Sequence, residues 1–555
     1  MDLHQFNNGR PGLAGRMRGP VAMTARLQIR TFAGTLIVSI IAWLAFTLPD
    51  HPDAIGWQAL FRLPLEWPLV MLLLLFSPPQ LRKSVALISG LFLFLVLFLR
   101  LADIGTQAAF QRPFNPYLDI KMMADGWNLM SGTVGMLAAF AGILVAVLCL
   151  VLLLLVFLRA ARWLAETQRP TRSWLILAFS AVALAGGAAY LGNVPRIDAR
   201  MPSYLSGRLA LVVKSVKDMH VFEVALAKGV EPRQGNGLFA GLKDRDFVLI
   251  FVESYGRSAI EDPRYAGLAV PRLEAVERQI REAGLVSASA WVTSPTVGGL
   301  SWLAHGTLLS GLWIDSQARY DRLMISNQPS LNRLFAEAGW KSIAAMPAIT
   351  MAWPEAAYYG YRQILAAADL QYRGKPFNWV TMPDQFTLAA FEQFGRVPAR
   401  AAGEKVMAEI ALISSHAPWT PVPRLVAWEA IGDGSVFNEQ ATSGDPPSVV
   451  WSDPQRVRRQ YIETIDYSLQ TLGSYVTRFS KDTVFVILGD HQPAAIITGP
   501  NASRAVPIHV ISADRDFIAR FEAQGFNAGM VPGERAREWP MNEMRQVLID
   551  LFSAS

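Results

Sequence analysis

Five apolar runs in the first 191 residues constrain this chain more than any other feature of its sequence. Each is close to the roughly 20 residues that an α-helix needs to cross a bilayer. One such run alone is compatible with a buried core helix, but five in succession favour a membrane domain with five spans. The runs cover residues 31–48, 59–76, 85–101, 134–158 and 174–191.

Lysine and arginine are unevenly distributed between the segments that join these runs. Because such charges collect on the cytoplasmic side of a membrane, the distribution predicts a cytoplasmic N-terminus. Five spans then place everything after about residue 192 on the opposite side. The basic residues are Arg10, Arg16, Arg18, Arg26 and Arg30 in the arm 1–30, then Arg82 and Lys83, then Arg159, Arg162, Arg169 and Arg172.

The net charge of +6 and the single cysteine narrow the possible classes of protein. The basic residues gather beside the apolar runs, so we interpret the charge as membrane topology and predict no nucleic-acid partner. The cysteine, Cys149, lies inside an apolar run. With one cysteine the chain has no intrachain disulfide and no cysteine-based metal site.

Two further segments carry features of a membrane interface. Within the linker 192–245, residues 203–228 have a basic amphipathic helical pattern. Such a helix either lies in the lipid headgroup layer or packs on the globular domain, and both interpretations remain open. The predicted external loop 105–132 holds four aromatic residues, a content that fits interfacial anchoring or the entrance for a lipid.

Residues 246–555 alternate predicted strands with predicted helices. This alternation favours an α/β domain with a largely parallel central sheet. The predicted strands are 246–253, 287–292, 341–346, 405–413, 483–488 and 506–512. The predicted helices are 271–284, 329–339 and one that begins at Pro454 behind the N-cap residue Asp453.

Two buried strands of this domain end in side chains that suit a metal ion. One strand runs into Glu253, and the other runs through Gly489 into Asp490 and His491. Ligands bind at the carboxyl ends of strands in open α/β sheets, and carboxylates with an imidazole suit a divalent cation. A turn Asp beside a structural His is the alternative. Because the two strands share one design, we predict a three-ligand site with open positions.

A glycine pair and a serine supply a candidate nucleophile. Gly298 and Gly299 predict a tight turn, and Ser301 would then begin a helix. The free N–H groups and positive dipole end of a helix N-terminus suit a phosphate. An ordinary N-cap serine is the alternative.

Together these motifs resemble the alkaline phosphatase and sulfatase superfamily, and within it the lipoteichoic acid synthase and phosphoglycerol transferase group. The resemblance rests on Glu253, on Gly489-Asp490-His491, and on Ser301 standing ten residues before Gly311. Several spans followed by an external catalytic domain are also the layout of that group. The resemblance implies an alkaline phosphatase/sulfatase-like fold for residues 246–555.

Weaker matches and departures refine the resemblance. His416, before Ala417 and Pro418, and Trp353 resemble the family's substrate-binding residues. His305, one turn after Ser301, either faces the substrate or is structural. The residues after Ser301 lack the pattern that sulfatases need to make formylglycine. The chain also lacks the external disulfides of the related phosphoethanolamine transferases, and the synthases use Thr as nucleophile.

The resemblance implies a metal-dependent phosphoglycerol transferase. One divalent cation, with Mn²⁺ favoured and Mg²⁺ or Zn²⁺ possible, would be held by Glu253, Asp490, His491 and Ser301. A phosphoserine at Ser301 would carry the headgroup phosphate of phosphatidylglycerol to a glycan or lipid-linked hydroxyl. The implied location is the bacterial cytoplasmic (inner) membrane, with a periplasmic or extracellular catalytic domain.

Three other functions remain open at this point. A phosphoethanolamine transferase shares the architecture, and a membrane phosphodiesterase or phosphatase would use water as acceptor. A non-catalytic membrane scaffold that kept the fold is the third, and the complete set of Glu253, Ser301, Asp490 and His491 argues against it. The expected domain order is a basic arm 1–30, spans 31–191, a linker 192–245 and the catalytic domain 246–555.

Overall fold

The structure is a computed structural model that describes residues 20–56, 59, 61–119, 136–228 and 237–554. Most of the predicted arm 1–30 and the end of the predicted loop 105–132 lie outside these residues. The chain divides into two compact units. The first comprises the residues up to Ile104 with Met136–Gly207, and the second comprises Gly105–Gly135 with Arg208–Ser555. The predicted domain boundaries remain predictions.

Apolar helices build the first unit. Four of them, among the described residues, are long and apolar enough to cross a membrane. The fifth has 11 residues and spans about 16 Å, against roughly 30 Å for a bilayer core. The second predicted span is therefore a short helix here, and the count of five spans remains a prediction. The helices are α1 Pro20–Thr47, α2 Glu66–Phe76, α3 Arg82–Phe110, α4 Met136–Ala165 and α5 Arg169–Leu191.

Two two-residue strands, β1 Leu63–Pro64 and β2 Ile197–Asp198, pair in parallel in this unit. Helix α1 packs closely on α4. A Cβ atom on Gly34 of α1 would lie 2.7 Å from the carbonyl oxygen of Ala160 in α4. Glycine at this position therefore allows the two backbones to approach each other.

Helix α6, Met201–Lys228, covers the segment predicted to be amphipathic. Met219 and Phe222 are buried in the same hydrophobic cluster as strand residues of the second unit. Other apolar side chains of the helix, including Leu209 and Val221, are exposed. The part of α6 after Gly207 thus packs on the globular domain and presents apolar side chains on another face.

The second unit is organised around a nine-stranded sheet in the order β10-β4-β9-β8-β3-β7-β5-β6, with β11 beside β4. Strands β8, β3, β7, β5 and β6 are all parallel, and β9 runs antiparallel to both of its neighbours. The predicted fold class is confirmed: apolar helices precede an α/β domain with a mostly parallel sheet. The strands are β3 Asp246–Val252, β4 Val286–Thr293, β5 Trp340–Met346, β6 Gln363–Ala366, β7 Lys405–Leu412, β8 Thr483–Gly489, β9 Ala505–Ser512, β10 Asn527–Ala528 and β11 Glu538–Pro540.

Helices cover both faces of this sheet, and two hydrophobic clusters fill the space beneath them. The longer helices are α7 Pro263–Glu282, α8 Ser301–Ser310, α9 Gln317–Met324, α10 Leu331–Glu337, α11 Asp384–Phe391, α12 Pro454–Phe479, α13 Arg515–Glu522 and α14 Met541–Ser553. Asp453 caps α12 as expected, since its carboxylate accepts from the N–H of Gln455 at 2.9 Å.

The prediction that a helix begins at Pro271 is wrong. Helix α7 begins at Pro263, and Pro271 lies inside it. Asp262 accepts from the N–H of Arg264 at 2.9 Å, and Pro263 occupies the first turn, where a proline needs no hydrogen-bond acceptor. Asp262 as N-cap and Pro263 at the first position therefore begin the helix, and Pro271 in its interior does not end it.

The orientation in the membrane is testable with two engineered cysteines in a Cys149→Ser background. Glu166 lies exposed between α4 and α5, and Glu534 lies exposed in the second unit. We expect Glu534→Cys to react with an impermeant thiol reagent in intact spheroplasts and Glu166→Cys to react only after permeabilisation. Labelling of Glu166→Cys in intact spheroplasts contradicts the predicted topology.

Candidate metal centre

The register of two central strands brings the predicted metal ligands together. Strands β3 and β8 are parallel neighbours, with Val252 opposite Gly489. Glu253 and Asp490, the next residue on each strand, therefore leave the sheet side by side. A Cβ atom on Gly489 would lie 1.8 Å from the carbonyl oxygen of Tyr255, so only glycine fits at the end of β8.

Glu253, Asp490 and His491 form one buried cluster. Their ligand atoms all lie within 4.8 Å of one another. Nε2 of His491 is 3.3 Å from Oε1 of Glu253 and 3.7 Å from Oδ2 of Asp490. Two carboxylates and an imidazole at these distances provide the donor set that a divalent cation requires.

Backbone and side-chain donors fix the orientation of each ligand. The N–H of Ser254 donates to Oδ1 of Asp490 at 2.8 Å, and the hydroxyl of Ser254 donates to Oε1 of Glu253 at 2.9 Å. Nδ1 of His491 donates to the carbonyl oxygen of Gln492 at 2.9 Å. That bond places the proton of a neutral imidazole on Nδ1 and leaves the lone pair of Nε2 for a metal.

Electrostatics within the cluster favour a bound cation. Burial works to raise the pKa of Glu253, but the charges of His491 and His416 outweigh it and hold that pKa well below its usual range. Burial and then the charge of Glu253 raise the pKa of Asp490 to about 7. Burial opposes protonation of His491, yet Asp490 and Glu253 raise its pKa to about 9. Without a cation the cluster therefore retains protons that a divalent ion can replace.

Ser301 lies against this cluster at the first position of α8. Its Oγ is 3.0 Å from Oε2 of Glu253 and 3.2 Å from Nε2 of His491. Leu300, just before the helix, is in the left-handed conformation with φ of 65°. The tight turn before Ser301 thus aims its hydroxyl at the two predicted ligands.

Gly298 is required for the shape of that turn. Its φ is +75°, and a Cβ atom there would lie 1.7 Å from the carbonyl oxygen of Ala109. Ala109 belongs to the second unit, so the segment 105–119 packs directly on the turn that positions Ser301. Any side chain at residue 298 would separate these two backbones.

His416 follows β7 on the same edge of the sheet. Its ring stacks on Trp379 with a centroid distance of 3.7 Å. The neighbouring Ser415 hydroxyl donates to the carbonyl oxygen of Glu253, and the charge of His416 lowers the pKa of the Glu253 carboxyl. His416 thus follows a residue that contacts the backbone of Glu253, and its role in substrate binding remains a proposal.

His305 lies one helical turn after Ser301 and contacts side chains of two strands of the sheet. Its Nδ1 is 2.7 Å from Oε1 of Glu409, and its ring stacks on Phe251 with a centroid distance of 3.7 Å. Because Phe251 and Glu253 share one face of β3, the pair His305 and Ser301 packs along that face. The contact to Glu409 gives His305 a structural partner, and its role in substrate binding stays a proposal.

Glu409 is a functional candidate that sequence reasoning missed. It is fully buried in β7, and its Oε2 accepts from Nδ2 of Asn332 at 2.9 Å and from the hydroxyl of Tyr361 at 2.5 Å. The ring of Trp353 lies 5.8 Å from that of Tyr361. The two proposed substrate residues Trp353 and His305 therefore lie at opposite ends of one network. The sequence indicates this residue only by the presence of a carboxylate, Glu409, inside the otherwise apolar predicted strand 405–413.

The site combines the buried cluster of Glu253, Asp490 and His491 with the partly exposed hydroxyl of Ser301. Ser301 also begins a ten-residue helix, so the N-terminus of that helix belongs to the site. A hydroxyl adjacent to a divalent cation loses its proton more readily and becomes a nucleophile. Free N–H groups at a helix N-terminus stabilise the charge of a phosphoryl group. The site is thus equipped for nucleophilic attack on a phosphate ester.

Comparisons with known proteins find solved structures that are similar at low sequence identity. No protein-family model matches the chain, and no curated protein matches it by sequence. Among solved structures, the chain is similar to the lipoteichoic acid synthase LtaP from Listeria monocytogenes, with 12% identity, TM-score 0.39, and coverage of 60% of this chain and 77% of LtaP. It is similar to an alkaline phosphatase superfamily protein from Vibrio parahaemolyticus, with 14% identity, TM-score 0.36, and coverage of 59% and 72%.

A third similar structure is the Streptococcus pyogenes phosphoglycerol transferase GacH in complex with sn-glycerol-1-phosphate. Its identity is 12%, its TM-score is 0.36, and the match covers 56% of this chain and 78% of GacH. The geometry of the site itself, and not these similarities, carries the functional proposal.

Removal of single ligands tests the metal assignment. Asp490→Asn and His491→Ala should lose bound divalent metal while the protein stays folded, because each change removes one of the three predicted ligands of the cluster. Metal content per chain, measured by mass spectrometry of the purified protein, checks this. Asp514→Asn is the matched control, because it makes the same change to a carboxylate that caps helix α13 and does not belong to the cluster. Full occupancy in the ligand variants places the metal elsewhere.

The pKa shifts predict how metal binding depends on pH. A metal must displace the proton of His491, whose pKa is raised to about 9, and below pH 7 also that of Asp490. Apparent affinity should therefore rise about tenfold per pH unit from pH 7 to pH 9, and more steeply below pH 7. Competition with a chelator measures it. An affinity that is constant over this range contradicts the assignment.

Substitution of Gly298 tests the turn. Gly298→Ala should lower the free energy of unfolding by more than about 1 kcal/mol, because alanine disfavours a positive φ and its Cβ would meet Ala109. Gly267→Ala, in helix α7 with open space around it, is the control and should be neutral or stabilising. Thermal unfolding in detergent compares them. Equal melting temperatures of the two variants show that the turn tolerates a side chain.

Proposed function

We propose that this chain is a membrane-anchored, metal-dependent phosphotransferase that moves the headgroup phosphate of phosphatidylglycerol, through a phosphoserine at Ser301, onto a glycan or lipid-linked hydroxyl. One observation carries the proposal. The Ser301 Oγ lies 3.0 Å from Glu253 and 3.2 Å from His491, both members of a buried cluster with metal-ligand geometry. A structural N-cap serine would instead bond to backbone N–H groups of its own helix, and α8 has no side-chain cap.

Glu253, Asp490, His491 and Ser301 fit a divalent cation. The lone pair of His491 Nε2 is available because Nδ1 donates to Gln492, and both carboxylates are oriented by Ser254. When bound, the cation would lower the pKa of the Ser301 hydroxyl and neutralise charge on the phosphate. Oxygen and nitrogen donors suit Mn²⁺, Mg²⁺ and Zn²⁺, and the family resemblance favours Mn²⁺.

The first half of the reaction forms the phosphoserine. The Oγ of Ser301 bonds to phosphorus, and the bond between phosphorus and the diacylglycerol oxygen breaks. Ser301 loses its proton, and the diacylglycerol oxygen gains one. The N-terminus of α8 faces the phosphoryl oxygens, and we assign the proton transfer to the leaving oxygen to His416, which lies within range of Glu253.

The second half returns the enzyme. The oxygen of an acceptor hydroxyl bonds to phosphorus, the bond to Ser301 Oγ breaks, and Ser301 regains a proton as the acceptor loses one. His305 and Trp353, joined through Glu409, are assigned to contacts with the headgroup or the acceptor. We assign the apolar helices of the first unit to the bacterial cytoplasmic membrane and the catalytic unit to its periplasmic or extracellular side.

Two neighbouring activities share this geometry. A phosphoethanolamine transferase would take a different headgroup by the same steps, and a membrane phosphodiesterase or phosphatase would use water in the second half. The acceptor decides between transfer and hydrolysis, so assays with and without an added glucan separate them. Headgroup release that is independent of the glucan, with no phosphoglycerol on it, favours the hydrolase.

Substitution of Ser301 tests the covalent step. Ser301→Ala should bind donor and remain folded but lose turnover by several orders of magnitude, and Ser301→Thr should keep part of the activity because the hydroxyl persists. Ser452→Ala, a remote exposed serine, is the control. Acid quench during turnover, followed by peptide mass spectrometry, should find the headgroup phosphate on Ser301. Phosphate on Thr296, or wild-type rates in Ser301→Ala, refutes the assignment.

The donor is tested with defined lipids. Purified protein in vesicles that contain labelled phosphatidylglycerol should accumulate diacylglycerol, because diacylglycerol is the group that leaves when Ser301 is phosphorylated. Vesicles with phosphatidylethanolamine serve as the comparison, and the Ser301→Ala protein serves as the blank. Faster diacylglycerol release from phosphatidylethanolamine favours the phosphoethanolamine transferase.

A further inference from the structure

A pocket of about 220 Å³ lies beside the turn that leads to Ser301. Its walls come from the segments 110–118 and 295–300, from helix α6, and from residues 315–319 with Arg504. All of these belong to the second unit. Glu253, Asp490 and His491 do not line it. The volume is below the roughly 300–1,000 Å³ of pockets for drug-sized ligands, so it suits a small group.

Cationic side chains from four separate parts of the chain converge on this pocket. They outnumber the carboxylates in its lining by four to two. The cations are Arg112, Lys214, Arg319 and Arg504, and the carboxylates are Asp218 and Asp315. A concentration of positive charge in a concave surface favours an anionic ligand.

Two of these cations have a carboxylate partner. Arg112 binds Asp119 with both guanidinium nitrogens, at 2.6 Å and 2.8 Å. Arg319 donates to the carbonyl oxygen of Trp313 at 2.9 Å and lies 3.4 Å from Asp315. These pairs fix the two side chains in the wall of the pocket.

Arg504 is held differently. It is partly buried and donates to the carbonyl oxygen of Pro295 at 3.1 Å, and it has no carboxylate within ion-pair distance in the part of the chain that the structure describes. Burial lowers its pKa; Asp315 opposes that shift, and Arg112 adds to it. Lys214 on α6 is exposed and likewise has no ion pair among the described residues. Both cations would be stabilised by an anion in the pocket.

We propose that this basic pocket binds a phosphate group, carried by a lipid headgroup or by a soluble phosphorylated compound, beside the transfer site. Arginine presents paired N–H donors that match phosphate oxygens, and the pocket holds three arginines and a lysine. Leu300 lines the pocket and directly precedes Ser301, so the pocket borders the turn that positions the nucleophile. Phosphate binding in the pocket is independent of the proposed transferase function. The further step, that the bound phosphate belongs to a second substrate of the transfer, rests on that function.

Titration of inorganic phosphate into chelator-treated, full-length protein in detergent tests the pocket. Removal of the metal suppresses phosphate binding at the cluster, so calorimetry reports the remaining site. Arg504→Gln should weaken phosphate binding at least tenfold, and Lys214→Gln, an exposed position that leaves the fold undisturbed, should weaken it severalfold. Arg535→Gln, an exposed arginine outside the pocket, is the matched control and should bind as the parent does.

Competition identifies the source of the phosphate. Displacement of inorganic phosphate by phosphatidylglycerol nanodiscs assigns the pocket to a lipid headgroup, and displacement only by soluble glycerol 3-phosphate assigns it to a soluble compound. Absence of phosphate binding to the parent, or equal affinity in Arg504→Gln, Lys214→Gln and Arg535→Gln, overturns the proposal. The phosphate titration measures binding and not turnover. If no phosphoserine is found at Ser301, the transferase proposal fails, but the measured phosphate affinity of the pocket stands.

Discussion

The parallel register of β3 and β8 is the constraint on which the candidate site depends. With Val252 opposite Gly489, the next residues are two carboxylates that emerge side by side from the core. Two adjacent buried negative charges are unfavourable, and the neighbouring His491 and the N–H of Ser254 offset only part of the cost. A divalent cation resolves this conflict, which is why the cluster implies a metal more strongly than its residue types alone.

Much of the second unit could be predicted from sequence because its strands are buried on both faces. Such strands appear as continuous apolar runs, and glycine or a carboxylate at their end marks where the sheet stops. Ser301 could be identified from the sequence because Gly298 and Gly299 predict a tight turn directly before a helix. The start of α7 differs from the prediction because the N-cap Asp262 with Pro263 begins the helix eight residues before Pro271. The second predicted run, 59–76, contains a helix that begins only at Glu66, because hydropathy does not show where a helix begins.

The remaining features of the site depend on tertiary contacts that no local pattern encodes. The hydrogen bond from the N–H of Ser254 to Asp490 exists only once β3 and β8 pair. The contact between Gly298 and Ala109 joins segments nearly two hundred residues apart. The cationic side chains of the basic pocket come from four separate segments. Through these contacts, residues that are distant in the sequence shape the turn that positions Ser301.

The central claim is that Ser301 and the three buried ligands hold one metal ion. Crystals of the full-length protein loaded with Mn²⁺ and measured at the manganese absorption edge test it most directly. The account predicts one anomalous peak at about 2.0–2.3 Å from ligand atoms of Glu253, Asp490 and His491, and from Oγ of Ser301. A peak at other residues, or one whose ligands exclude Ser301, would contradict it.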